Sequence, residues 1–372
     1  WDVVVAGAGP AGSTAAGLLA RRGLCVLLVD RAEFPRSKVC GCCLNGAALQ
    51  ALRAAGGSGT PRQWGAGPLN ALELIGFGHR IPIPLPLGGV LSRSRLDEGL
   101  VSNARIEGAR LLQRTIATLG AGDDEGWEIE LHRKREADTC TVRARSVVCA
   151  DGLDGGFLRR HAEFAPVISS NSRIGLGLQV PGHGSGPAAG RIRMVVDPDG
   201  YVGIVRLEDG RLDVAAAVDR EALRNTGPAQ LVSDILARNG ALGGLAIDGS
   251  IRGTPALTRR HPARAGTRLF LLGDAAGYVE PFTGEGIAWA VSSALLAAPL
   301  VARACRDWDP RLVEEWEGLY RRSIGRRQSV IRCLAPILKR PLPSRAFLGV
   351  LRGLPFFARP VVTRLNKTVT ER

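Results

Sequence analysis

The sequence WDVVVAGAGPAG occupies residues 1–12 and decides the fold class. Its apolar run is typical of a buried strand, and the glycine-rich turn after it is typical of a strand that leads into a helix. Gly7 permits a tight turn, Gly9 lets the backbone approach a pyrophosphate, and Gly12 lets the helix pack closely on the strand. The helix N-terminus then presents free N–H groups and a partial positive charge to phosphates.

A second apolar run, residues 24–30, ends in Asp30, eighteen residues after Gly12. A carboxylate at this distance can accept hydrogen bonds from ribose hydroxyls. The strand, the glycine-rich turn, the helix and the acid together predict a βαβ unit that binds the ADP half of a dinucleotide.

Two more apolar runs end in an aspartate. Gly273 and Asp274 follow residues 268–272, and a turn rich in glycine then leads into a predicted helix over 284–304. A carboxylate at a strand end can hold a ribitol or ribose hydroxyl, and glycines let backbone N–H groups approach a flavin ring edge. Asp151-Gly152 follows the other run, which predicts a strand over 139–149. Taken alone, this dipeptide is also explained by a plain strand-to-turn connection.

These three segments resemble the FAD-dependent oxidoreductases of the p-hydroxybenzoate hydroxylase fold group, over roughly residues 1–310. The resemblance implies that the first glycine-rich turn and its acid bind the ADP part of FAD. It also implies that Gly273-Asp274 binds the ribitol region and that Asp151-Gly152 lies near the pyrophosphate. The sequence RSRLDEGL, residues 93–100, is similar to the arginine motif that the group places near FAD, with Leu96 in place of an aromatic residue.

The sequence FPRSKVCG, residues 34–41, resembles the geranylgeranyl reductase branch of that group. There the segment runs along the FAD, and its cysteine faces the substrate side of the flavin. Arg36 and Lys38 could neutralise FAD phosphates or receive NAD(P)H. Cys40 has two interpretations: a thiol of low pKa beside these cations, or a small apolar residue in a tight loop. The cluster of three cysteines at 40, 42 and 43 lacks a fourth ligand and a nearby histidine, so we expect no metal.

The chain departs from that branch in its predicted substrate sheet. Residues 200–206 keep Tyr201 but lack the tryptophan and proline that usually follow such a tyrosine, which puts prenyl-chain recognition in doubt. We find no W-x-W-x-I-P element, so halogenation is not expected.

The candidate catalytic residues are Cys40 and Tyr201. The residues predicted to bind the cofactor are Gly7, Gly9, Pro10, Ala11, Gly12, Asp30, Arg31, Arg36, Lys38, Cys40, Gly41, Arg93, Asp151, Gly152, Gly273, Asp274, Pro281, Gly284, Gly286 and Ile287.

The order of elements predicts an α/β fold, α+β overall. A Rossmann-like FAD-binding domain is expected to contain an inserted, mostly antiparallel β-sheet substrate domain and to be followed by a basic helical C-terminal extension. The FAD-binding domain is assigned to residues 1–68, 92–165 and 255–317, with Ser94 as the N-cap of a helix over 94–107. The substrate-binding domain is assigned to 69–91 and 166–254, and the extension to 318–372.

Composition and charge narrow the functional classes. The chain has 372 residues, 45% hydrophobic and 23% charged, with eight scattered cysteines, which is typical of an ordinary soluble protein with reduced thiols in the cytoplasm. We expect no membrane span and no leader peptide. Of the net charge of +14, residues 318–372 carry +12 from thirteen basic residues and one acid. This extension either covers its own domain or contacts an anionic membrane surface, and nucleic-acid binding is not expected.

Together these observations predict an FAD-dependent oxidoreductase that uses NAD(P)H and acts on a hydrophobic small molecule. We narrowly favour a monooxygenase that hydroxylates an aromatic or polyketide-like substrate. One alternative is a geranylgeranyl reductase-like enzyme that reduces carbon–carbon double bonds of a prenyl lipid. A second alternative is a non-catalytic, membrane-associated flavoprotein.

Overall fold

Two large sheets organise the protein, and a computed structural model describes residues 1–133, 139–182, 186–247, 250–280, 284–339, 344–345 and 348–349. The first sheet has six strands, parallel except for the short edge strand 265–266. Its strands, in spatial order, are Ala265–Gly266, Leu269–Leu271, Ser146–Cys149, Val3–Ala6, Val26–Val29 and Arg110–Leu112. Every residue of Val3–Ala6 is buried, as expected for a parallel strand covered on both faces.

Four helices accompany this sheet: Pro10–Ala20, Gly46–Ala55, Arg93–Ile106 and Gly286–Arg306. The helix Gly286–Arg306 is apolar and long enough to cross a membrane, but 78% of its most apolar window is buried inside the protein. It packs against the helix Pro10–Ala20, so it is the core helix of the domain.

Ser92, not Ser94, is the N-cap of the helix Arg93–Ile106. The Ser92 side chain accepts a hydrogen bond from the backbone N–H of Arg95, whereas Ser94 already lies inside the first turn. The expected cap was therefore wrong by two residues, because the helix begins one residue earlier than predicted and its cap precedes it.

The second large sheet has seven strands. In spatial order they are Arg252–Ala256, Ile174–Val180, Leu212–Val218, Gly200–Arg206, Arg191–Asp197, Ala71–Gly76 and His79–Pro84. All neighbours are antiparallel except Arg191–Asp197 and Ala71–Gly76, which run parallel. The helices Arg220–Thr226 and Pro228–Arg238 follow in the chain, and Leu231, Ile235 and Leu236 pack on one face of this sheet. The fold class is confirmed: a Rossmann-like domain with an inserted, mostly antiparallel sheet.

Three small sheets complete the fold. Their strands are Cys43–Asn45, Gly67–Pro68 and Gly88–Val90; Thr115–Gly122, Trp127–Arg133 and Thr139–Ala144; and Val167–Ile168, Arg259–Arg260 and Gly277–Tyr278. Short 3-10 turns occupy Gly152–Asp154, Ala162–Phe164 and Gly273–Ala276. The predicted single strand over 139–149 is two strands in different sheets, separated at Arg145.

The described part of the C-terminal extension packs on the FAD-binding domain. It begins in the last turn of the helix Arg311–Tyr320 and continues as a π-helical turn Arg321–Gly325 and the helix Arg326–Lys339. The Tyr320 hydroxyl and the Gln328 side-chain amide both donate to the carbonyl of Gly277, at 3.5 and 3.3 Å. Contact of the remaining basic residues with a membrane stays a prediction, and most of residues 340–372 lie outside the described part of the chain.

Candidate functional site

A cavity of about 870 Å³ lies between the two large sheets. Of the residues predicted to bind the cofactor, Pro281 lies outside the described residues, and Gly12 does not line the cavity. All the others line it, together with Tyr201. The volume is within the range of sites that enclose small molecules and cofactors.

The glycine-rich turn forms one end of the cavity. Gly7 has a φ of +99°, a left-handed conformation that favours glycine. A Cβ atom at Gly12 would lie 1.8 Å from the Gly7 carbonyl oxygen, so Gly12 allows the helix to sit directly against the turn. A Cβ at Gly9 would meet only the Arg36 guanidinium, at 3.4 Å. Gly9 therefore leaves open a space against the backbone that suits a pyrophosphate.

Asp30 closes the second strand of the βαβ unit and is buried beside this turn. Its carboxylate accepts hydrogen bonds from the backbone N–H groups of Ala8, at 2.7 Å, and Ala32, at 2.8 Å. Arg36 Nη1 lies 3.3 Å from the same carboxylate. These contacts fix Asp30 at the cavity wall, where a carboxylate suits ribose hydroxyls.

Among the described residues, five cationic side chains line the cavity, and three of them lie close together: Arg36, Lys38 and Arg93. The buried Asp97 holds two of them. Arg93 donates to both Asp97 oxygens at 3.0 and 2.8 Å, and Arg36 Nε lies 3.4 Å from Asp97 Oδ2. Burial lowers the pKa of Lys38, and the positive charge of Arg93 lowers it further, although Asp274 opposes this. A bound diphosphate would relieve the repulsion among these cations.

The two strand-end aspartates also line the cavity. Asp151 Oδ2 accepts a hydrogen bond from the Phe157 N–H at 2.9 Å, and the Cys149 thiol donates to Oδ1 at 3.3 Å. Burial raises the pKa of both Asp151 and Asp274, while Lys38 lowers it. Gly273, beside Asp274, has a φ of +58° and donates its N–H to Ser293 Oγ at 2.9 Å. The hydrogen bond to Ser293 holds the turn at Gly273 and Asp274 against the cavity.

The Cys40 thiol also lines the cavity, next to the Arg93 guanidinium. A hydrogen bond from Cys42 and the charge and hydrogen bond of Arg93 lower the pKa of Cys40 to about 6, against the effect of burial. Behind it, the pKa of Cys42 is raised well above its usual range. Burial and the nearby Cys40 thiolate raise the pKa of Asp213, beside Cys42, to about 7. Of the two interpretations of Cys40, the structure therefore favours the polar, charged one.

Tyr201 lies on the side of the cavity that the seven-stranded sheet forms, and it is buried beside the charged side chains of Arg173 and Glu280. The guanidinium carbon of Arg173 lies 5.7 Å from the Tyr201 ring centroid. Arg173 donates to Glu280 at 3.1 Å and to Asp219 at 2.9 Å, and burial raises the pKa of Tyr201 well above its usual range. Tyr201 is thus a neutral hydroxyl at neutral pH.

An apolar wall faces these polar groups. Its residues are Leu69, Leu72, Leu74, Ile83, Leu85, Leu87, Leu176, Ile192 and Met194. Among the described lining residues within 69–88 and 174–257, only Tyr201 and Thr254 have polar side chains, and none is charged. The charged lining residues come instead from the segments around the six-stranded sheet.

Residues 1–174 match the FAD binding domain family. The chain is an FAD-dependent oxidoreductase. It is 29% identical to the menaquinone reductase of Mycobacterium tuberculosis (strain H37Rv), over 91% of this chain and 84% of that relative. It is 27% identical to the digeranylgeranylglycerophospholipid reductase of Thermoplasma acidophilum, over 88% of this chain and 85% of that relative.

Solved structures show the same fold at lower identity. A flavin-dependent brominase superposes with a TM-score of 0.83 at 18% identity, covering 98% of this chain and 93% of that one. The myxobacterial chondrochloren halogenase, an FAD-dependent enzyme, superposes with a TM-score of 0.76 at 24% identity, covering 89% and 81%. The predicted resemblance to FAD-dependent oxidoreductases is confirmed, and the cavity of this flavoprotein fits the FAD that the family binds.

Two polar residues of the site escaped the sequence analysis. Arg173 directly precedes a strand, and Asp213 lies inside another, so each looks like an ordinary solvent-facing residue of an alternating pattern. Both are buried in the folded protein. In this flavoprotein their partners come from distant parts of the chain, and no local signal identifies them. The described residues contain no group of three or more His, Cys, Asp or Glu placed to hold a metal ion.

The pH dependence of Cys40 alkylation tests the charge assigned to this thiol. Iodoacetamide reacts with the thiolate, so we expect the rate at Cys40 to rise with pH through a midpoint near 6. In Cys42→Ala the midpoint rises, because the largest stabilising hydrogen bond is lost. Cys43→Ala is the matched control and leaves Arg93, Cys42 and Asp213 in place. Equal midpoints in the wild type and Cys42→Ala would contradict this assignment.

Proposed function

We propose that this flavoprotein is an NAD(P)H-driven reductase that reduces a carbon–carbon double bond in a hydrophobic, isoprenoid-type molecule. The apolar wall is the observation that carries the proposal. It provides aliphatic contacts along one side of the cavity and reaches the protein surface at Leu87, whose side chain is 46% exposed. An apolar chain lying along this wall buries hydrocarbon without leaving polar groups unpaired.

The same wall argues against an aromatic or polyketide-like substrate. Such a molecule has several hydroxyl or carbonyl groups, and each needs a hydrogen-bond partner when it is buried. The wall residues have no polar side chain, and among the described lining residues within 69–88 and 174–257 only Tyr201 and Thr254 have one. The similarity to a menaquinone reductase and a digeranylgeranylglycerophospholipid reductase supports this proposal, because both are reductases of lipids that carry isoprenoid chains. An experiment that showed hydroxylation, the reaction favoured from the sequence alone, would therefore overturn this proposal.

The chain's own residues would hold the cofactor and prepare the substrate. Bound FAD supplies the hydride chemistry. The turn at Gly9 and the side chains of Arg36 and Lys38 would hold its phosphates, while Asp30 would bind a ribose. The apolar wall orients the substrate and excludes water. Among the groups that line the cavity, the Tyr201 hydroxyl would be the proton donor to a reacting carbon, because burial keeps it protonated at neutral pH, and the Cys40 thiolate would be a proton acceptor.

The proposal is tested by separating reduction from oxygenation. The purified protein is reduced anaerobically with NADH or NADPH, mixed with menaquinone or a geranylgeranyl lipid, and the product is analysed by mass spectrometry. We expect flavin reoxidation without oxygen and a gain of two hydrogen atoms per reduced bond. Oxygen-dependent addition of one oxygen atom to an aromatic substrate would establish hydroxylation instead. Failure of every donor and acceptor to change the flavin spectrum would support the non-catalytic alternative.

A charge placed in the apolar wall tests the substrate path. Leu72→Glu is expected to raise the KM for an isoprenoid substrate roughly tenfold or more, because an uncompensated carboxylate beside a buried hydrocarbon chain costs several kcal/mol. The flavin spectrum and the rate of reduction by NAD(P)H should stay unchanged. Ile106→Glu is the matched control, since Ile106 is 64% exposed at the end of a helix away from the cavity. Equal KM values in both variants would exclude this path.

A further inference from the structure

We propose that Cys40 and Cys42 form a peroxide-responsive thiol pair, in which Cys40 is oxidised to a sulfenic acid and Cys42 converts it to a disulfide. This modification does not depend on the substrate in the proposed function. It needs only hydrogen peroxide, which reduced flavins produce when they react with oxygen without transferring it to a substrate. Cys40 lines the cavity that would hold the flavin, so its sulfur lies close to where this oxidant would form.

The positions of the two sulfur atoms suit a reactive thiol and a second thiol that resolves it. Cys40 lines the cavity, whereas Cys42 is fully buried behind it. The two side chains share a hydrogen bond, and Cys42 Sγ also lies 3.8 Å from the Cys40 carbonyl oxygen. Cys42 has a φ of +51°, a left-handed conformation that turns the chain back toward Cys40. Both thiols are free.

The groups around Cys40 and Cys42 favour both the oxidation of Cys40 and the formation of the disulfide. The Arg93 guanidinium bonds to Cys40 and is itself fixed by two hydrogen bonds to Asp97, so a thiolate at Cys40 has a permanent cation beside it. Asp213 is buried beside Cys42 and is oriented by Gln179, whose amide donates to it at 3.3 Å. This carboxylate is placed to accept the Cys42 proton. Cys43 lies next in the chain, but its thiol is buried and has a raised pKa.

Hydrogen peroxide is the only oxidant that formation of the Cys40–Cys42 disulfide needs. The Cys40 thiolate attacks one oxygen of hydrogen peroxide, an S–O bond forms, the O–O bond breaks, and hydroxide leaves and takes up a proton to become water. The sulfur loses two electrons and the peroxide gains them. Cys42 then attacks the Cys40 sulfur, the S–S bond forms, and the S–O bond breaks to release a second water that carries the Cys42 proton. An external thiol reverses the disulfide.

Peptide mass spectrometry tests the pair directly. The FAD-loaded full chain is treated with hydrogen peroxide and digested with trypsin, which releases residues 39–53 with all three cysteines of this loop. We expect this peptide to lose two hydrogen atoms and to recover them with dithiothreitol. In Cys42→Ser the loss should disappear, and Cys40 should be trapped by dimedone as its sulfenic acid adduct.

Cys43→Ser is the matched control and should form the disulfide like the wild type. Persistence of the two-hydrogen loss in Cys42→Ser, or its disappearance in Cys43→Ser, would assign the bond to Cys43 and overturn the proposal. Dimedone labelling confined to the exposed Cys25 or Cys140 would overturn it as well. Circular dichroism and flavin binding of each variant show that the loop is tested in a folded protein. Because no substrate is present, these results are independent of the reductase assay.

Discussion

Gly12→Ala is expected to destabilise the FAD-binding domain by about 2 kcal/mol or more, whether or not FAD is bound. The new Cβ would lie 1.8 Å from the Gly7 carbonyl oxygen, and that atom belongs to backbone that cannot move without displacing the first strand and turn. Thermal unfolding of the cofactor-free protein measures the effect. We expect a lower Tm, a poor yield and no flavin absorbance.

Gly9→Ala separates cofactor binding from folding. Gly9 has a φ of −80°, which alanine adopts without strain, and its Cβ would meet only the end of the Arg36 side chain. We expect the Tm of the cofactor-free protein to be nearly unchanged and the Kd for FAD to rise at least roughly tenfold, because the added methyl group occupies the space left for the pyrophosphate. Gly253→Ala, in an open position on the second sheet, controls for glycine replacement itself. A Gly9→Ala protein with wild-type FAD affinity would contradict the assigned phosphate site.

Asp97→Asn is expected to lower the free energy of unfolding by about 3–5 kcal/mol. Asp97 is fully buried and holds Arg93 through two hydrogen bonds. An asparagine leaves this buried guanidinium without a counter-charge, and removing one partner of a buried ion pair costs that much. Urea unfolding of the cofactor-free protein measures the change. Saturating FAD should restore part of the stability, because its phosphates supply negative charge near Arg36 and Lys38.

Glu107→Gln is the matched control for loss of an ion pair. Glu107 pairs with Arg21 at 2.7 Å near the protein surface, where the two side chains are 22% and 41% exposed. Solvent-exposed pairs contribute about 1 kcal/mol or less. If Asp97→Asn lowered the free energy of unfolding no more than Glu107→Gln, the buried Asp97–Arg93 pair would contribute no more to stability than an exposed pair, contrary to this prediction.

The parts of the fold that the sequence predicts are those with local signals. The glycine-rich turn, the apolar runs around it and Asp30 lie within the first 30 residues, and periodicity and spacing identify them without knowledge of the rest. The run over 139–149 was harder because the chain passes from one sheet into another at Arg145 without a turn residue. The strand Thr115–Gly122 was not predicted for a different reason: its two glycines interrupt the alternation of side chains that indicates a strand.

The residues of the candidate site also fall into those with local sequence signals and those brought together only by folding. The predicted cofactor-binding residues come from short motifs, and all of them that the structure describes, except Gly12, line the cavity. Lining residues outside those motifs, such as Thr115, Phe157 and Arg159, were not predicted. The environment of Cys40 depends instead on Arg93 from a later helix and on Asp213 from the second sheet. Only packing brings these groups together, and for that reason the sequence left two interpretations of the thiol open.

The even composition of the apolar wall has a consequence for selectivity among substrates. A surface of aliphatic side chains gives affinity that grows with the hydrocarbon area it covers, by about 0.8 kcal/mol per buried methylene. The described wall residues offer the proposed isoprenoid substrate no polar or charged contact that would distinguish one isoprene unit from the next. Which double bond is reduced would therefore be set by geometry: the distance along the wall from Cys40 to the opening at Leu87, and how far a substrate's polar head stays outside.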